Sequence, residues 1–214
     1  MKEKFIKISK VSFYFRALKT NLIDCSVKAY KKAETSSGLT IRIEADLRGV
    51  KAENFVLMLR DASYREKMEG PIKKFKIVEN TSKHTDVTYH ELSLPFPLTN
   101  RDFVQKRLFV SNKQEPELVA KLGLFKWDHA YNAILIQSTE RSEYPVKSSP
   151  IRGETSMHYT LLQEDPYDKT LLKMKIVICQ DLNGSIPSVV MSGAAEKMAK
   201  GMLTDLLKSY KKCF

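Results

Sequence analysis

The sequence predicts an α+β domain in which one antiparallel sheet packs against a long C-terminal helix. Three observations predict it. Apolar and polar residues alternate over residues 39–47, several strand-like segments follow one another between residues 72 and 182, and a helical period runs from residue 188 to 210. Successive strands joined by short turns favour antiparallel pairing, and helices segregated from them favour the α+β class.

The first part of the chain changes from a strand pattern to a helical one. The alternation over residues 39–47 predicts a half-buried strand, which Gly49 ends. Over residues 51–60 the period becomes helical, and a second short helix over 61–69 ends at a Gly-Pro stop. Residues 1–24 are basic and weakly patterned, and we treat them as an N-terminal segment that is either helix or strand.

The middle of the chain consists of short segments rich in β-branched and aromatic residues, separated by turn residues. Two longer polar connections, 112–128 and 142–150, contain proline and predict loops. The predicted strands cover residues 72–79, 86–94, 103–110, 130–140, 151–163 and 169–182.

The C-terminal segment has the clearest helical pattern. It follows Pro187, a residue that the first helical turn tolerates, and its apolar residues recur at spacings of three and four up to Tyr210. At 1.5 Å per residue this helix reaches about 40 Å. Because one helix covers only part of a large sheet, either a ligand or packed side chains must fill the remaining concave face.

The composition is that of one ordinary globular domain. The 214 residues are 43% hydrophobic and 29% charged, which suffices for a large core. The three cysteines lie far apart, which disfavours a disulfide framework or a structural zinc site and fits a reducing compartment. Apolar runs are too short to cross a bilayer, and charged residues interrupt the N-terminus, so we expect a cytoplasmic protein.

A surplus of positive charge is compatible with anionic partners. Lysine and arginine number 36 against 25 acidic residues, giving a formal net charge of +11. Such a charge suits nucleic acid or an acidic membrane surface. The aromatic residues of the predicted strands lie among aliphatic neighbours and form no RNA-binding signature, so we expect no nucleic acid. Charge by itself leaves a membrane surface and a merely solvated basic surface as alternatives.

The sequence contains none of the common catalytic or cofactor-binding motifs. G-x-S-x-G, H-E-x-x-H, a Walker loop and G-x-G-x-x-G are all missing. The four histidines have no metal-ligand spacing and are interpreted as structural or surface residues: His84, His90, His129 and His158. We therefore expect no cofactor, no metal and no enzymatic activity.

Two segments resemble the START (steroidogenic acute regulatory protein-related lipid transfer) family. Residues 91–107 read ELSLPFPLTNRDFVQKR and contain a Pro-aromatic-Pro turn followed by Arg-Asp-aromatic-Val. Residues 180–187 read QDLNGSIP and precede the amphipathic helix, where the family has Asp-x-x-Gly-x-x-Pro. Arg152 also matches an arginine of the family, in the strand after the proline-containing loop.

The resemblance covers roughly residues 25–214 and implies a helix-grip fold. In that fold a curved antiparallel sheet wraps around the long C-terminal helix and encloses an internal cavity for one lipid. Within the family, residues 94–107 are most similar to a phosphatidylcholine carrier.

The resemblance also implies a phosphate site. Residues 64–69 match a segment in which an arginine binds the lipid phosphate and an acid follows four positions later, which assigns these roles to Arg65 and Glu69. The planar guanidinium group of arginine binds phosphate oxygens in a bidentate manner. Met68 stands where the family usually has a tryptophan.

Five more positions are implied to line the lipid site. Glu91 and Arg107 match a glutamate and an arginine that form an ion pair in some family members, and the pair would either orient a headgroup or close the structure. In the phosphatidylcholine carrier three aromatic rings surround the choline, and the matching positions here are His90, Phe103 and Ser156. Since Phe103 alone is a good aromatic face among these, the sequence favours a headgroup other than choline or a broad tolerance.

The function implied is that of a soluble, monomeric carrier, which binds one phospholipid and moves it between membranes during transient contact with anionic surfaces. The C-terminal helix and the loop over 142–150 would form its gate, with Met191, Met198 and Met202 against the acyl chains. Two alternatives stay open: a lipid-sensing module that acts on a protein partner, and an enzyme that uses a START-like cavity.

Overall fold

The computed structural model describes residues 11–13, 25–32, 38–65, 67–68, 70–94, 96–123, 129–184, 186 and 188–214. For residues 11–13, 25–32 and 188–200 it describes the backbone alone.

Ten strands and four helices are formed by the described residues. The helices are α1 (Ala52–Arg60), α2 (Ala62–Arg65), α3 (Pro116–Lys121) and α4 (Ser188–Cys213). The strands are β1 (Val11–Phe13), β2 (Cys25–Lys32), β3 (Gly38–Arg48), β4 (Ile72–Ser82), β5 (Thr85–Leu92), β6 (Arg101–Ser111), β7 (Tyr131–Ser138), β8 (Ile151–Arg152), β9 (Glu154–Glu164) and β10 (Leu171–Asp181).

The strands form one sheet in the order β1-β2-β3-β10-β9-β7-β6-β5-β4, and β8 pairs with β6 off this path. All pairings along the path are antiparallel, whereas the short β8 runs parallel to β6. The α+β class predicted from the sequence is therefore confirmed.

Helix α4 packs on one face of this sheet. Its residues Leu203, Leu206 and Tyr210 are buried in the same cluster as Ile41 of β3 and Ile178 of β10. Burying these apolar groups stabilises the helix on the sheet by roughly 1.5–3 kcal/mol per large side chain. The face of the sheet that carries Ile41 and Ile178 is called the inner face below.

Helix α1 closes the same cluster from a second side. Phe55 and Met58 are completely buried, and the ring of Phe55 stacks on Tyr210 of α4 at 6.3 Å. The hydroxyl of Tyr210 accepts a hydrogen bond of 2.9 Å from the backbone N–H of Lys51, which precedes α1. The start of α1 is thereby fixed against the C-terminal part of α4.

The two motifs of the START resemblance contact each other. The buried guanidinium of Arg101, from the first motif, donates to the carbonyl oxygens of Leu182 and Asn183, which belong to the second. Asp102 forms a bidentate ion pair with Arg152, at 2.8 and 3.0 Å. These contacts hold the segment that leads into α4 against the start of β6.

The outer face carries a second apolar cluster. Val119 of α3 packs there with Val110, Tyr131, Ala133 and Leu161. Residues on the outer and inner faces alternate along the strands, as the pleat of a β-sheet requires, except where the register shifts in β4 and between β9 and β10.

Candidate functional site

One row of side chains crosses the inner face of the sheet. The strand register places Ile178 opposite His158, His158 opposite Ile136, Ile136 opposite Arg107, and Arg107 opposite Asp86. Directly opposed residues on neighbouring strands lie on the same face. The row therefore runs from the apolar core under α4 to a set of charged and polar side chains.

The charged end of this row is a buried ion pair between Arg107 and Asp86. Nε and Nη2 of Arg107 each donate to a carboxylate oxygen of Asp86 at 2.7 Å. The same guanidinium donates to the carbonyl oxygens of Leu59, at 2.7 Å, and Arg60, at 3.3 Å. Arg107 thus joins the sheet to the end of α1 and satisfies carbonyls that the helix leaves free.

The prediction that Glu91 and Arg107 form an ion pair is wrong. Glu91 lies five residues along β5 from Asp86, so the alternation of the strand turns its side chain to the outer face. There its carboxylate accepts hydrogen bonds from Lys74, at 2.8 Å, and from the hydroxyl of Tyr89, at 3.1 Å. The partner of Arg107 is Asp86, which the sequence analysis did not single out.

Arg65 ends α2 beside the same row. Its guanidinium carbon lies 5.0 Å from the centre of the Phe75 ring, and the guanidinium contacts the sulfur of Met68. Burial, together with the positive charge of Arg107, lowers the pKa of Arg65 to about 10, so the group stays charged at neutral pH. Arg65 nevertheless keeps part of its surface accessible.

Two imidazoles lie within electrostatic range of Arg65. Burial, followed by the charges of Arg65 and Arg107, lowers the pKa of His90 to about 3. Burial and Arg65 lower the pKa of His158 to about 4. Both rings are therefore neutral at pH 7, and each offers one hydrogen-bond donor and one acceptor.

His90 and Phe103, two of the positions matched to the ring cage, lie next to each other. They lie opposite each other on β5 and β6, and their rings stack at 5.3 Å with an angle of 18° between the planes. The Phe103 ring also rests against Gly153, where a Cβ atom would collide with it. The position of this ring thus depends on a glycine that follows β8.

Ser156 lies apart from that pair. Its side chain is exposed, and its hydroxyl donates to the carbonyl oxygen of Cys179 at 3.2 Å. A register shift in the pairing of β9 with β10 occurs at this point, between Cys179 and Gln180. The buried hydroxyl here is that of Thr155, which accepts hydrogen bonds from Gln105, at 2.7 Å, and Gln180, at 3.1 Å.

The remaining predicted positions divide into two groups. Met202 is partly buried and packs against the cluster under α4. Glu69 and the side chains of Met191 and Met198 lie outside the described residues.

Three residues of the site were missed by sequence reasoning: Asp86, His158 and Thr155. Their place on the inner face follows from strand register, which no local pattern encodes. A weak signal existed for His158, because Met174 and Ile176 alternate with lysines at positions 173 and 175 in the neighbouring strand and indicate which face of that strand is buried.

Two exposed apolar residues lie at the end of the sheet where α4 begins. Phe96, in the loop between β5 and β6, is 97% exposed, and Val146, in the loop between β7 and β8, is 71% exposed. The two loops adjoin, because the N–H of Ile151 donates to the carbonyl oxygen of Asn100. In the part of the chain that the structure describes, no helix combines the length and apolarity needed to cross a bilayer.

Comparison with known proteins identifies relatives in sequence. The chain is 28% identical to the phosphatidylcholine transfer protein of Bos taurus over 155 residues, which are 71% of this chain and 65% of that protein. It is 25% identical to the phosphatidylcholine transfer protein of Mus musculus over 191 residues, 88% of this chain and 81% of that protein. The chain thus spans just under two thirds of the bovine relative's length. No protein-family model matches the chain.

Solved structures agree with the sequence relatives. Human STARD10 superposes with a TM-score of 0.70 at 19% identity, over 89% of this chain and 73% of that one. Human StAR-related lipid transfer protein 5 superposes with a TM-score of 0.65 at 15% identity, over 86% of each chain. At these identities the likeness establishes the fold. The resemblance that the two motifs predict is therefore confirmed, and the chain has the helix-grip fold of the START family.

Proposed function

We propose that this protein binds one phospholipid between the inner face of the sheet and α4, and carries it between membranes. The observation that carries the proposal is Arg65, a desolvated but accessible cation beside the inner row of the sheet. The negative charge of a phosphate group compensates the positive charge of such an arginine, and its oxygens accept the hydrogen bonds that the guanidinium donates. The similarity to phosphatidylcholine transfer proteins supports the same conclusion.

The energetics of extraction favour an enclosed carrier. A two-chain phospholipid has about thirty methylene groups, and each costs about 0.8 kcal/mol to expose to water. Direct release through water would therefore cost more than about 20 kcal/mol. The protein must dock on a membrane, open there and receive the chains directly into an apolar space.

We propose that docking uses the end of the sheet with Phe96 and Val146. Insertion of an exposed phenylalanine into the membrane interface gains apolar burial, and the net charge of +11 attracts an anionic surface. The gate is the start of α4 together with the adjoining loop of residues 142–150. Transfer that relies on charge slows as the salt concentration rises.

The loop of this gate is held by contacts that opening would have to break. The ring of Tyr144 stacks on Tyr89 at 4.5 Å, and the guanidinium of Arg152 donates to the carbonyl oxygen of Tyr144 at 2.9 Å. Just before the loop, Arg141 forms an ion pair of 2.8 Å with Glu79 of β4.

Replacement of Arg65 tests the proposal. In a vesicle-to-vesicle transfer assay with fluorescent phospholipid, R65A should reduce lipid binding and transfer while the thermal unfolding of the protein stays cooperative. R65K, which keeps the charge but loses the bidentate geometry, should lie between R65A and the original protein. The matched control is R48A, which removes an arginine from a surface ion pair with Asp168 that lies outside the proposed site and gate and has little energetic weight.

Undiminished binding by R65A would remove Arg65 from the site. Tight binding without transfer would favour the lipid-sensing alternative over a carrier. We propose that the protein acts without catalysis, in keeping with the transfer proteins to which it is similar. Its monomeric state and its cytoplasmic location stay predictions.

A further inference from the structure

The aromatic rings around Arg65 and Arg107 are already occupied. Phe75 has the guanidinium groups of Arg65 and Arg107 at 5.0 and 5.4 Å from its centre. Phe109 has those of Arg60 and Arg107 at 5.4 and 5.0 Å. A quaternary ammonium group is bound through free aromatic faces, and cations of the protein already use these two rings.

The third ring, Phe103, is covered as well. The imidazole of His90 stacks on it, and the backbone of Gly153 lies against it. A choline group placed here would have to displace His90.

Two carboxylates close to Arg107 in sequence or on the neighbouring strand, Asp86 and Glu91, do not offer a site for a cation either. Both oxygens of Asp86 accept hydrogen bonds from Arg107. Glu91 lies on the outer face, bound to Lys74. An ammonium group of the ligand would therefore be repelled by Arg65 and Arg107, and neither Asp86 nor Glu91 would offer it a free carboxylate.

The pKa values of His90 and His158 indicate that the electrostatic potential at the site is positive. Besides burial, the positive charge of Arg65 lowers the pKa of both His90 and His158, and that of Arg107 lowers the pKa of His90. The same potential disfavours a cationic headgroup and favours an anionic lipid. Each neutral imidazole can still donate one hydrogen bond and accept another, which matches the chemistry of hydroxyl groups.

We propose that the preferred ligand is a phospholipid with net negative charge and an uncharged, hydroxylated headgroup, bound by Arg65 at the phosphate and by His90 and His158 at the hydroxyls. Phosphatidylglycerol and phosphatidylinositol have this chemistry, whereas phosphatidylcholine and phosphatidylethanolamine do not. The inference rests on the proposed function, because it names the lipid that the carrier takes.

A competition experiment tests the preference. The full chain is incubated with vesicles that contain the dioleoyl forms of phosphatidylglycerol, phosphatidylinositol, phosphatidylcholine and phosphatidylethanolamine in equal amounts, and the lipid bound to the reisolated protein is measured by mass spectrometry. All four lipids share one vesicle, so differences in docking do not affect the ratio. Two hydrogen bonds to the headgroup predict an excess of about tenfold for each hydroxylated lipid over phosphatidylcholine.

Variants of His90 connect the preference to the site. H90F adds an aromatic face and removes the polar ring, so the excess over phosphatidylcholine should fall by about threefold or more, the weight of one hydrogen bond. H90Q keeps a donor and an acceptor and should retain most of the preference, and it stays informative if H90F does not fold. H129F, at an exposed histidine, is the matched control and should leave the ratio unchanged.

The outcomes separate this inference from the proposed function. Equal or greater uptake of phosphatidylcholine or phosphatidylethanolamine by the original protein would overturn the headgroup assignment while leaving a phospholipid carrier intact. Uptake of no phospholipid would overturn both. An unchanged ratio in H90F that is folded, as judged by circular dichroism, would remove His90 from the headgroup site and overturn its assigned role.

Discussion

Arg107 and Asp86 lie opposite each other on β6 and β5, and two hydrogen bonds of 2.7 Å join their side chains. Both are buried, and Arg107 also binds two carbonyl oxygens at the end of α1. The pair therefore connects the sheet to the helical segment that carries Arg65. Loss of either partner leaves the other as an uncompensated buried charge.

Replacement of Asp86 is expected to be strongly destabilising. D86A should lower the free energy of unfolding by about 3–5 kcal/mol, because the charge of Arg107 is left buried without its partner. Chemical denaturation monitored by circular dichroism measures the change. The double variant D86L/R107M should cost less than the two single changes together, and additive costs would contradict a direct coupling between the two residues.

The packing of Phe103 makes Gly153 sensitive to substitution. G153A introduces a methyl group that collides with the Phe103 ring, and we expect a loss of about 1–3 kcal/mol in the free energy of unfolding. Thermal or chemical denaturation provides the measurement. In a background of F103L the same substitution should cost clearly less, whereas an equal cost would show that the collision is not the cause.

Membrane association is expected to depend on Phe96. F96D should weaken binding to anionic vesicles by about tenfold or more, since it removes roughly 1.5–3 kcal/mol of apolar burial. Vesicle co-sedimentation measures the effect. Because Phe96 is 97% exposed, the stability of the free protein should change by less than about 0.5 kcal/mol.

The matched control for this experiment is Tyr167. It is 95% exposed, in the turn between β9 and β10 at the opposite end of the sheet. Y167D should leave vesicle binding unchanged. Equal losses in both variants would contradict docking through one end of the sheet.

Acidification is expected to destabilise the protein through His90 and His158. Their pKa values are about 3 and about 4 in the folded chain, against an ordinary value of 6.5. Between pH 6.5 and pH 4 the unfolded chain takes up protons that the folded chain does not, so the free energy of unfolding falls as the pH decreases. The slope declines as the pH rises above 6.5, and below that pH it reaches about 1.4 kcal/mol per pH unit for each histidine.

Denaturation at pH 7 and pH 5 checks this expectation. The difference in the free energy of unfolding between the two pH values should be smaller in H158Q, by up to about 2 kcal/mol. H129Q, at an exposed position, should keep the original difference. A pH dependence that is identical in all three proteins would contradict the lowered pKa of His158.

Much of the secondary structure could be predicted from local patterns. The strand predicted over 39–47 is β3, the helix over 51–60 is α1, and the pattern after Pro187 is α4. Strand β2 and helix α3 were not predicted. The lysines of β2 obscure a strand pattern, and α3 is a single short helix inside a polar connection.

The site could be predicted only in part. The family resemblance led to Arg65, His90 and Phe103, which lie on or beside the inner face. It implied the wrong partner for Arg107, because matching two residue types does not reveal on which face of a strand each one lies. A shift of one residue in that alternation exchanges the inner and outer faces.

The amino-acid sequence by itself determined the α+β class, the order of most elements and the two motifs that connect β6 to the start of α4. Strand register decided which charged side chains meet: Asp86 with Arg107 on the inner face, and Glu91 with Lys74 on the outer one. The physical reason is that periodicity along the chain is local, whereas ion pairs and desolvation depend on residues that only folding brings together.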